Sequence, residues 1–130
     1  MTQPRNASHV PDVVHTSLLG EAADCAEVGV AVYDDDGRYV AVNACACEML
    51  GYTRDELLTH DVGDFTEGGI DRSVLKSPER REGTRLVRRK DGHFLAVAFV
   101  VSPTKIANIP FYLSMFWELP AGDPRAASAS

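Results

Sequence analysis

The sequence of 130 residues predicts one α+β domain, in which an antiparallel sheet is built from strands near both ends of the chain and short helices lie between them. Two observations predict the strands. β-Branched and aromatic residues are concentrated in residues 28–42 and 84–119, and an Asp-Gly pair interrupts each region. A third observation predicts the helices, because helix-capping residues and a glycine stop fall between these two regions.

The two ends of the chain lack a regular hydrophobic pattern. We interpret residues 1–14 as a flexible N-terminal arm and residues 120–130 as a disordered tail. Residues 15–27 repeat apolar side chains at helical spacing, which predicts an N-terminal amphipathic helix. The domain itself is expected to span residues 28–119, and the apolar stripe of the preceding helix must be covered by something.

The first β region contains a strand, a turn and a second strand. Alternation of Val28, Val30 and Val32 with smaller or polar residues predicts the first strand. Asp36-Gly37 predicts a two-residue turn of type I′, because glycine tolerates the positive φ that this turn requires. The run of three aspartates is interpreted as a solvated turn, since calcium loops place their ligands at alternate positions.

Two short helices are predicted to meet at a tight corner. Asn43 is positioned to cap a helix over residues 44–50, and Gly51 is positioned to end it. Thr53 and Glu56 have the spacing of a capping box, in which each side chain accepts a hydrogen bond from the other residue's backbone N–H.

The remainder of the chain is predicted to be mostly β. Residues 68–75 could form about two helical turns before Pro78 prevents continuation. A hairpin then follows at Asp91-Gly92, and residues 94–101 and 111–119 are apolar on both sides. We therefore expect both faces of the sheet to be covered, one by the domain's own helices and the other by the N-terminal helix or a second subunit.

Composition excludes several classes of protein. No apolar run approaches the ~18 residues of a membrane span, and the N-terminus lacks the apolar core of a signal peptide, so we expect a cytoplasmic protein without a membrane partner. The net charge of -6 disfavours a nucleic-acid partner. Seven of the thirteen basic residues nevertheless lie in residues 76–90, either as a solvated strand and loop or as a docking patch for an acidic partner.

No chemical site stands out from the residue types and their spacing. Three cysteines cannot form a disulfide framework, and Cys45 and Cys47 lie about 200° apart around a helix, so they cannot jointly bind one metal. We interpret both as packing residues, with Cys45 as the thiol that faces the interior. No Ser/His/Asp group, phosphate-binding loop or carboxylate pair is present, so we predict no catalytic residue and no metal site.

Several short motifs together resemble the PAS domain family. They are Asp34 and Gly37 before the second strand, the "VN" of Val42-Asn43, the "GYTRDELL" corner and the "RRKDG" hairpin, and they fall in the family's order over roughly residues 28–119. The resemblance implies a five-stranded antiparallel sheet of order 2-1-5-4-3, with short helices on one face enclosing a cavity. It also implies a sensory or interaction module that dimerises through its N-terminal helix and outer sheet face.

The resemblance suggests a pocket, a structural link and an interface. The apolar candidates for the ligand pocket, which a filled core would equally explain, are Val32, Cys45, Met49, Phe65, Leu75, Leu86, Phe99, Met115 and Trp117. The candidates for a structural polar role are Asn43, Thr53, Glu56 and Lys90. The alternative to the capping box is that Glu56 pairs with Lys90, as the resemblance implies from a pairing found in some members of the family. The candidates for a dimer interface are Leu18, Leu19, Ala22 and Phe116.

The sequence requires no cofactor. Flavin-binding PAS domains carry a cysteine in an "NCRFLQ" motif, to which "NACACEML" does not correspond. Haem would depend on His60, because the segment expected to face the cavity contains no histidine. Haem and flavin are therefore the weaker alternatives.

The resemblance predicts a non-enzymatic sensory or regulatory module in signal transduction. We expect a homodimer that binds a small apolar or aromatic ligand in its core and acts on a signalling partner or a fused output domain. The alternative is a ligand-free module for dimerisation or protein interaction.

Overall fold

Five strands and four α-helices are present in residues 12–66 and 78–128, the parts of the chain that the computed structural model describes. The strands are β1 Gly29–Asp34, β2 Tyr39–Val42, β3 Arg81–Arg88, β4 Phe94–Ile106 and β5 Ile109–Glu118. The helices are α1 Asp12–Cys25, α2 Ala44–Leu50, α3 Arg54–Leu57 and α4 Pro124–Ser128, with a 3₁₀ helix at Val62–Phe65. The helix predicted for residues 68–75 lies outside the described residues.

All five strands belong to one antiparallel sheet. Its order is β2-β1-β5-β4-β3, which confirms the predicted fold class and strand order. The ends of the chain differ from the prediction. Helix α1 begins at Asp12, inside the segment that we interpreted as an arm, and the tail contains the short helix α4.

Each Asp-Gly pair lies at the end of a three-residue hairpin loop, residues 35–37 and 90–92. The first loop is not the type I′ turn that we predicted. Gly37 N–H donates to the Asp34 carbonyl at 2.9 Å, and Asp34 N–H donates to the Arg38 carbonyl at 2.9 Å. Of the loop residues only Gly37 has a positive φ, at 84°. This is a type I turn followed by a left-handed glycine, and Gly92 repeats it with φ 91°.

A type I′ turn does occur, at a site that the sequence did not indicate. Ala107 and Asn108 have φ of 52° and 65°, and they join Ile106 to its cross-strand partner Ile109. The hairpin of β4 and β5 projects beyond the rest of the sheet, because the pairing of β3 and of β1 stops before residues 102–110. This projection tolerates two prolines because no further strand needs their missing N–H groups.

The sheet has a covered inner face and a largely uncovered outer face. Inner-face residues such as Ala31 and Phe116 are buried with Ala46, Leu50 and Leu57 of the short helices. The outer face is different, because Met115 and Trp117 keep 38% and 36% of their surface exposed. Within the described residues, the inner face is covered as expected, whereas α1 leaves Met115 and Trp117 exposed on the outer face. Of the two predicted covers for the outer face, a second subunit stays a prediction.

Helix α1 buries none of its 14 residues. Val13, Val14, Leu18 and Leu19 are all exposed, and at 100° per residue they spread over about 240° of the helix surface. The helix is therefore only weakly amphipathic. An isolated helix of this length is marginal in water, so its stability depends on what holds its C-terminal end.

Asn43 holds that end and joins it to two other elements. Its Oδ1 accepts from the backbone N–H groups of Val30 and Ala46, each at 2.9 Å, so it pairs with β1 and caps α2. Its Nδ2 donates to the carbonyls of Ala23 at 2.7 Å and Val28 at 2.9 Å. The residue is 4% exposed, and its side-chain amide uses two donors and two acceptor positions.

Asn43→Ala is expected to lower the free energy of unfolding by about 3 kcal/mol. The substitution removes a helix cap and leaves backbone N–H and C=O groups at a buried junction without their hydrogen-bond partners. Urea unfolding followed by circular dichroism measures this loss. The matched control is Thr53→Ala, which removes the exposed cap of α3 alone and should cost about 1 kcal/mol. Equal losses in the two variants would contradict the junction role of Asn43.

Candidate functional site

A cavity of about 80 Å³ lies against the inner face of the sheet. Aromatic and aliphatic side chains make up most of its wall, and four polar residues complete it. The lining residues are Tyr33, Tyr39, Leu50, Val62, Phe65, Thr66, Arg81, Arg85, Val87, Val97, Phe99, Val101, Ser114 and Phe116. Such a wall suits a small apolar body that carries a polar group.

Two of the predicted pocket residues, Phe65 and Phe99, line this cavity. Met49 packs against the core beside it, and Cys45 does not line it. Leu75 lies outside the described residues. The other predicted pocket residues are Val32, Leu86, Met115 and Trp117, and the strand register places all four on the outer face.

The error in those four positions has a simple cause. Side chains alternate between the faces of a strand, so the face of each residue depends on its neighbours rather than on its size. Buried Ala31 and Tyr33 show that odd-numbered positions of β1 face inward, which sends Val32 outward. In β5 the same rule turns Phe116 inward, where it is 8% exposed, and it removes this residue from the predicted dimer interface.

Three tyrosines pack together beside the cavity. The rings of Tyr33 and Tyr112 are stacked at 5.3 Å, and Tyr39 meets Tyr33 edge to face at 6.4 Å. Burial raises the pKa of Tyr39 and of Tyr33, although the nearby Arg81 opposes the shift at Tyr33. The phenols are therefore neutral near pH 7 and act as hydrogen-bonding groups.

Arg81 and Arg85 bring positive charge to the cavity wall. Both lie on β3 opposite inward-facing residues of β4, and both are half-buried. Arg81 donates to the Tyr33 hydroxyl at 2.9 Å, and the Arg85 guanidinium lies 5.4 Å from the centre of the Phe99 ring. Burial, followed by the charge of Arg81, lowers the pKa of Arg85. Sequence reasoning missed this role because it treated the basic segment as one surface band.

Two other members of that band join the β3–β4 hairpin to the end of α2. Arg89 donates to the Met49 carbonyl at 2.6 Å, and Lys90 N–H donates to the Leu50 carbonyl at 2.9 Å. Lys90 Nζ also lies 2.6 Å from Glu56 Oε2. We name the contacts of Arg89, Lys90 and Glu56 the corner latch. Because these side chains serve intramolecular contacts, the docking patch for an acidic partner loses much of its basis.

Glu56 does both of the things that the sequence presented as alternatives. Its Oε1 accepts from Thr53 N–H at 2.9 Å to complete the capping box, while Oε2 pairs with Lys90. The hydrogen bond from Lys90, followed by that from the Thr53 backbone, lowers the pKa of Glu56 to about 2. One carboxylate therefore links the start of α3 to the β3–β4 hairpin.

Comparison with protein families decides what kind of domain this is. A family model described as a PAS domain matches residues 27–116, which is well over half of the chain. This chain belongs to the PAS domain family. PAS domains occur in sensor kinases and other signalling proteins and are generally sensory modules rather than enzymes.

Solved PAS domains share this fold at low sequence identity. The PAS domain of an HTR-like protein from Haloarcula marismortui is 22% identical with a TM-score of 0.72, and the match covers 82% of this chain and 93% of that one. A sensor histidine kinase/response regulator domain from Geobacter sulfurreducens is 24% identical with a TM-score of 0.71, covering 80% and 94%.

A PAS domain from a two-component sensor histidine kinase has a TM-score of 0.75 at 15% identity, covering 84% of this chain and all of that one, at 100%. No curated protein matches the sequence of this chain. At these identities the solved structures show the fold alone.

The two cysteines of the PAS helix α2 flank Ala46, which is fully buried at 0% exposure. Cys47, rather than the Cys45 that we predicted, packs against the hydrophobic core. Burial raises the pKa of both thiols, with Arg54 opposing the shift at Cys47. Both cysteines are free and predominantly protonated near pH 7, so neither has the character of an activated nucleophile.

The residues that the structure describes in this PAS domain do not fit haem or flavin. A cavity of about 80 Å³ is smaller than the ~150 Å³ that holds one benzene molecule. His60 is not among the described lining residues, and its Nδ1 lies 2.9 Å from Asp64 Oδ2. Across residues 12–66 and 78–128, no group of three or more His, Cys, Asp or Glu side chains is placed to bind a metal.

The helices that the structure describes include none that is both long enough and apolar enough to cross a membrane.

The corner latch is expected to make stability depend on pH in a defined direction. The pKa of Glu56 is lowered in the folded state from its usual 4.5 to about 2. Its contribution is therefore complete above about pH 5 and is lost as the pH falls towards 2. Glu56→Gln should lower the urea midpoint at pH 7 and have a much smaller effect near pH 2.5.

Asp55→Asn provides the control, because it removes a carboxylate from the same first turn of α3 without breaking the latch. Urea midpoints of the three proteins at pH 7 and 2.5 make the comparison. A Glu56→Gln effect that is the same at both pH values, or is matched by Asp55→Asn, would show that the latch does not carry the pH dependence.

Proposed function

We propose that this chain is a non-enzymatic sensory or regulatory PAS module of cytoplasmic signal transduction, which dimerises and binds a small apolar or aromatic ligand in its core. The observation that carries the proposal is the cavity, because ten of its fourteen described lining residues are aromatic or aliphatic. Its output would pass through a signalling partner or a fused output domain, as in the sensor kinases whose PAS domains share the fold.

The size of the cavity restricts the ligand. About 80 Å³ accepts a short aliphatic chain, whereas a single ring would require some lining side chains to move. A ligand acts as a signal only if it binds two states of the domain with different affinity. Displacement of Phe65 or Phe99 by a ring would supply that difference, because both side chains belong to or contact the main core cluster.

The same junction that stabilises the fold offers a route from the cavity to α1. Tyr33 and Ala31 of β1 face the interior, and the start of β1 is bound to Asn43. Asn43 also binds the Ala23 carbonyl, and Asp24 pairs with Arg54 at 2.8 Å. A shift of β1 therefore bears directly on the C-terminal end of α1.

Filling the cavity is expected to abolish ligand binding. In a panel of small apolar and aromatic compounds, a ligand at a hundred times its dissociation constant should raise the melting temperature of the wild type by about 5–10 °C. Ser114→Leu should remove that rise, because Ser114 lines the cavity. Ser102→Leu is the matched control, since Ser102 faces outward on the adjacent strand.

Native mass spectrometry of freshly purified protein complements the panel by detecting a retained ligand. Neither a retained mass nor a shift with any compound would argue strongly against a ligand-binding sensor, as would equal effects of Ser114→Leu and Ser102→Leu.

The proposed dimer uses the outer sheet face and α1. Met115 and Trp117 are exposed on that face, and Leu18 and Leu19 are exposed by 56% and 65% on α1. Ala22 is also exposed. A second copy of the chain would cover both sets of apolar side chains, and a small residue such as Ala22 allows two helices to approach closely.

A charge on either part of this surface is expected to separate the dimer. Leu19→Glu and Met115→Glu should each weaken self-association at least tenfold in sedimentation equilibrium, because a buried unpaired carboxylate is costly. Ile106→Glu is the control, since the exposure of Ile106 on the projecting hairpin, at 55%, lies between those of Met115 and Leu19. A wild type that remains monomeric at about 100 µM, or three variants that behave alike, would contradict the dimer.

A ligand-free interaction module is the second candidate function. Two observations favour it. The cavity is small, which restricts the ligands that fit, and the outer face exposes the apolar side chains of Met115 and Trp117 to a protein partner. Self-association without any ligand-induced stabilisation would select this candidate, and the two measurements above distinguish it from the sensor.

A further inference from the structure

The cavity wall contains two cations that the apolar part of the proposed ligand does not explain. Arg81 and Arg85 lie on β3, face inward and are half-buried. Placing charge in a partly desolvated site is costly unless an opposite charge or strong hydrogen bonds compensate it. A function for these two residues is therefore expected to bring an opposite charge or hydrogen-bond acceptors to their guanidinium groups.

The residues described here supply only part of it. In residues 12–66 and 78–128, neither Arg81 nor Arg85 forms an ion pair with a carboxylate. Arg81 has one hydrogen bond, to the Tyr33 hydroxyl at 2.9 Å, and Arg85 rests on the Phe99 ring. Each guanidinium carries five N–H donors, so most of the donors at this wall are available to a ligand.

Other basic residues of the same segment are engaged or point elsewhere. Arg80 pairs with Glu82 at 2.9 Å, and Lys90 pairs with Glu56. Arg88 is exposed on the outer face, opposite Phe94. The two arginines that face the cavity are therefore a distinct pair within the basic segment.

The two guanidinium groups line the same cavity. Arg81 lies at the Tyr33 hydroxyl and Arg85 at the Phe99 ring, and both rings are part of the cavity wall. The Ser114 hydroxyl also lines the cavity and has no hydrogen-bond partner among the described residues. Guanidinium and hydroxyl groups together are well suited to a carboxylate, which accepts bidentate hydrogen bonds from arginine.

We propose that the cavity binds a small monocarboxylate, with its acid group on Arg81 and Arg85 and its apolar body against Phe65 and Phe99. This inference rests on the proposed ligand-binding function and narrows it from apolar compounds in general to their acids. Ligand binding would supply the negative charge that the described residues do not, and it would draw β3 towards the inner face of β1 through Tyr33.

Matched acids and amides test the role of charge at constant size. Dissociation constants of the full chain for butyrate, butyramide, benzoate and benzamide are measured by NMR titration. Each acid is expected to bind at least about tenfold more tightly than its amide, because hydrogen bonds to charged groups are stronger than hydrogen bonds between neutral groups. The preference for the acid over the amide should decrease as the sodium chloride concentration is raised, since salt screens the attraction between the carboxylate and the arginines and the amide carries no charge.

Substitutions locate the preference. Arg81→Gln and Arg85→Gln should each reduce the affinity for the acid towards that for the amide, while leaving the amide unaffected. Arg88→Gln removes an equal charge from the outer face of the same strand and should change neither. Arg85→Lys keeps the charge without the bidentate fork and should give an intermediate loss, which guards against a glutamine variant that fails to fold.

Several outcomes would overturn the inference. Amides that bind as tightly as acids, a preference that survives both glutamine variants, or an equal effect of Arg88→Gln would each do so. If neither acid binds while uncharged compounds of the wider panel do, the arginine role fails and the ligand-binding function stands. If no compound of either kind binds, both fail.

Discussion

The buried amide of Asn43 is the interaction on which the rest of the domain depends. One side chain pairs with the start of β1, caps α2 and holds the end of α1, and it does so with every group satisfied. Asn43 N–H also donates to the Val30 carbonyl at 2.9 Å. The end of α1, the start of β1 and the start of α2 are thereby fixed to one another, and the packing of Ala46 and Leu50 against Ala31 holds α2 over the inner face of the sheet.

The two faces of the sheet present different surfaces. The inner face contributes aromatic rings and two arginines to a small cavity, whereas the outer face leaves Met115 and Trp117 exposed. Because the residues of one strand alternate between these faces, neighbouring positions belong to separate surfaces. In β5, Phe116 belongs to the core, and the residues on either side of it belong to the outer surface.

Local signals in the sequence predicted much of the fold, whereas face assignments were less reliable. The caps at Asn43 and Thr53 depend on residues within one helical turn, so the sequence predicted them. The strand order was implied by the resemblance to the PAS family. Val32 and Phe116 were assigned to the wrong surface because their orientation follows from cross-strand register. The cavity role of Arg81 and Arg85 was missed for the same reason: charge suggested solvent, while strand parity turned both inward.

The projecting hairpin of β4 and β5 has a consequence for how the chain folds. Its two strands pair along ten positions across a two-residue turn, so they can find each other without closing a long loop. In contrast, Gly29 must pair with Phe116 from the far end of the domain. Contacts between residues close in sequence form faster than contacts between residues far apart in sequence. This hairpin is therefore expected to form first, and β1 is expected to pair with β5 later. The cavity, which needs both, would then exist only after the last strand has docked.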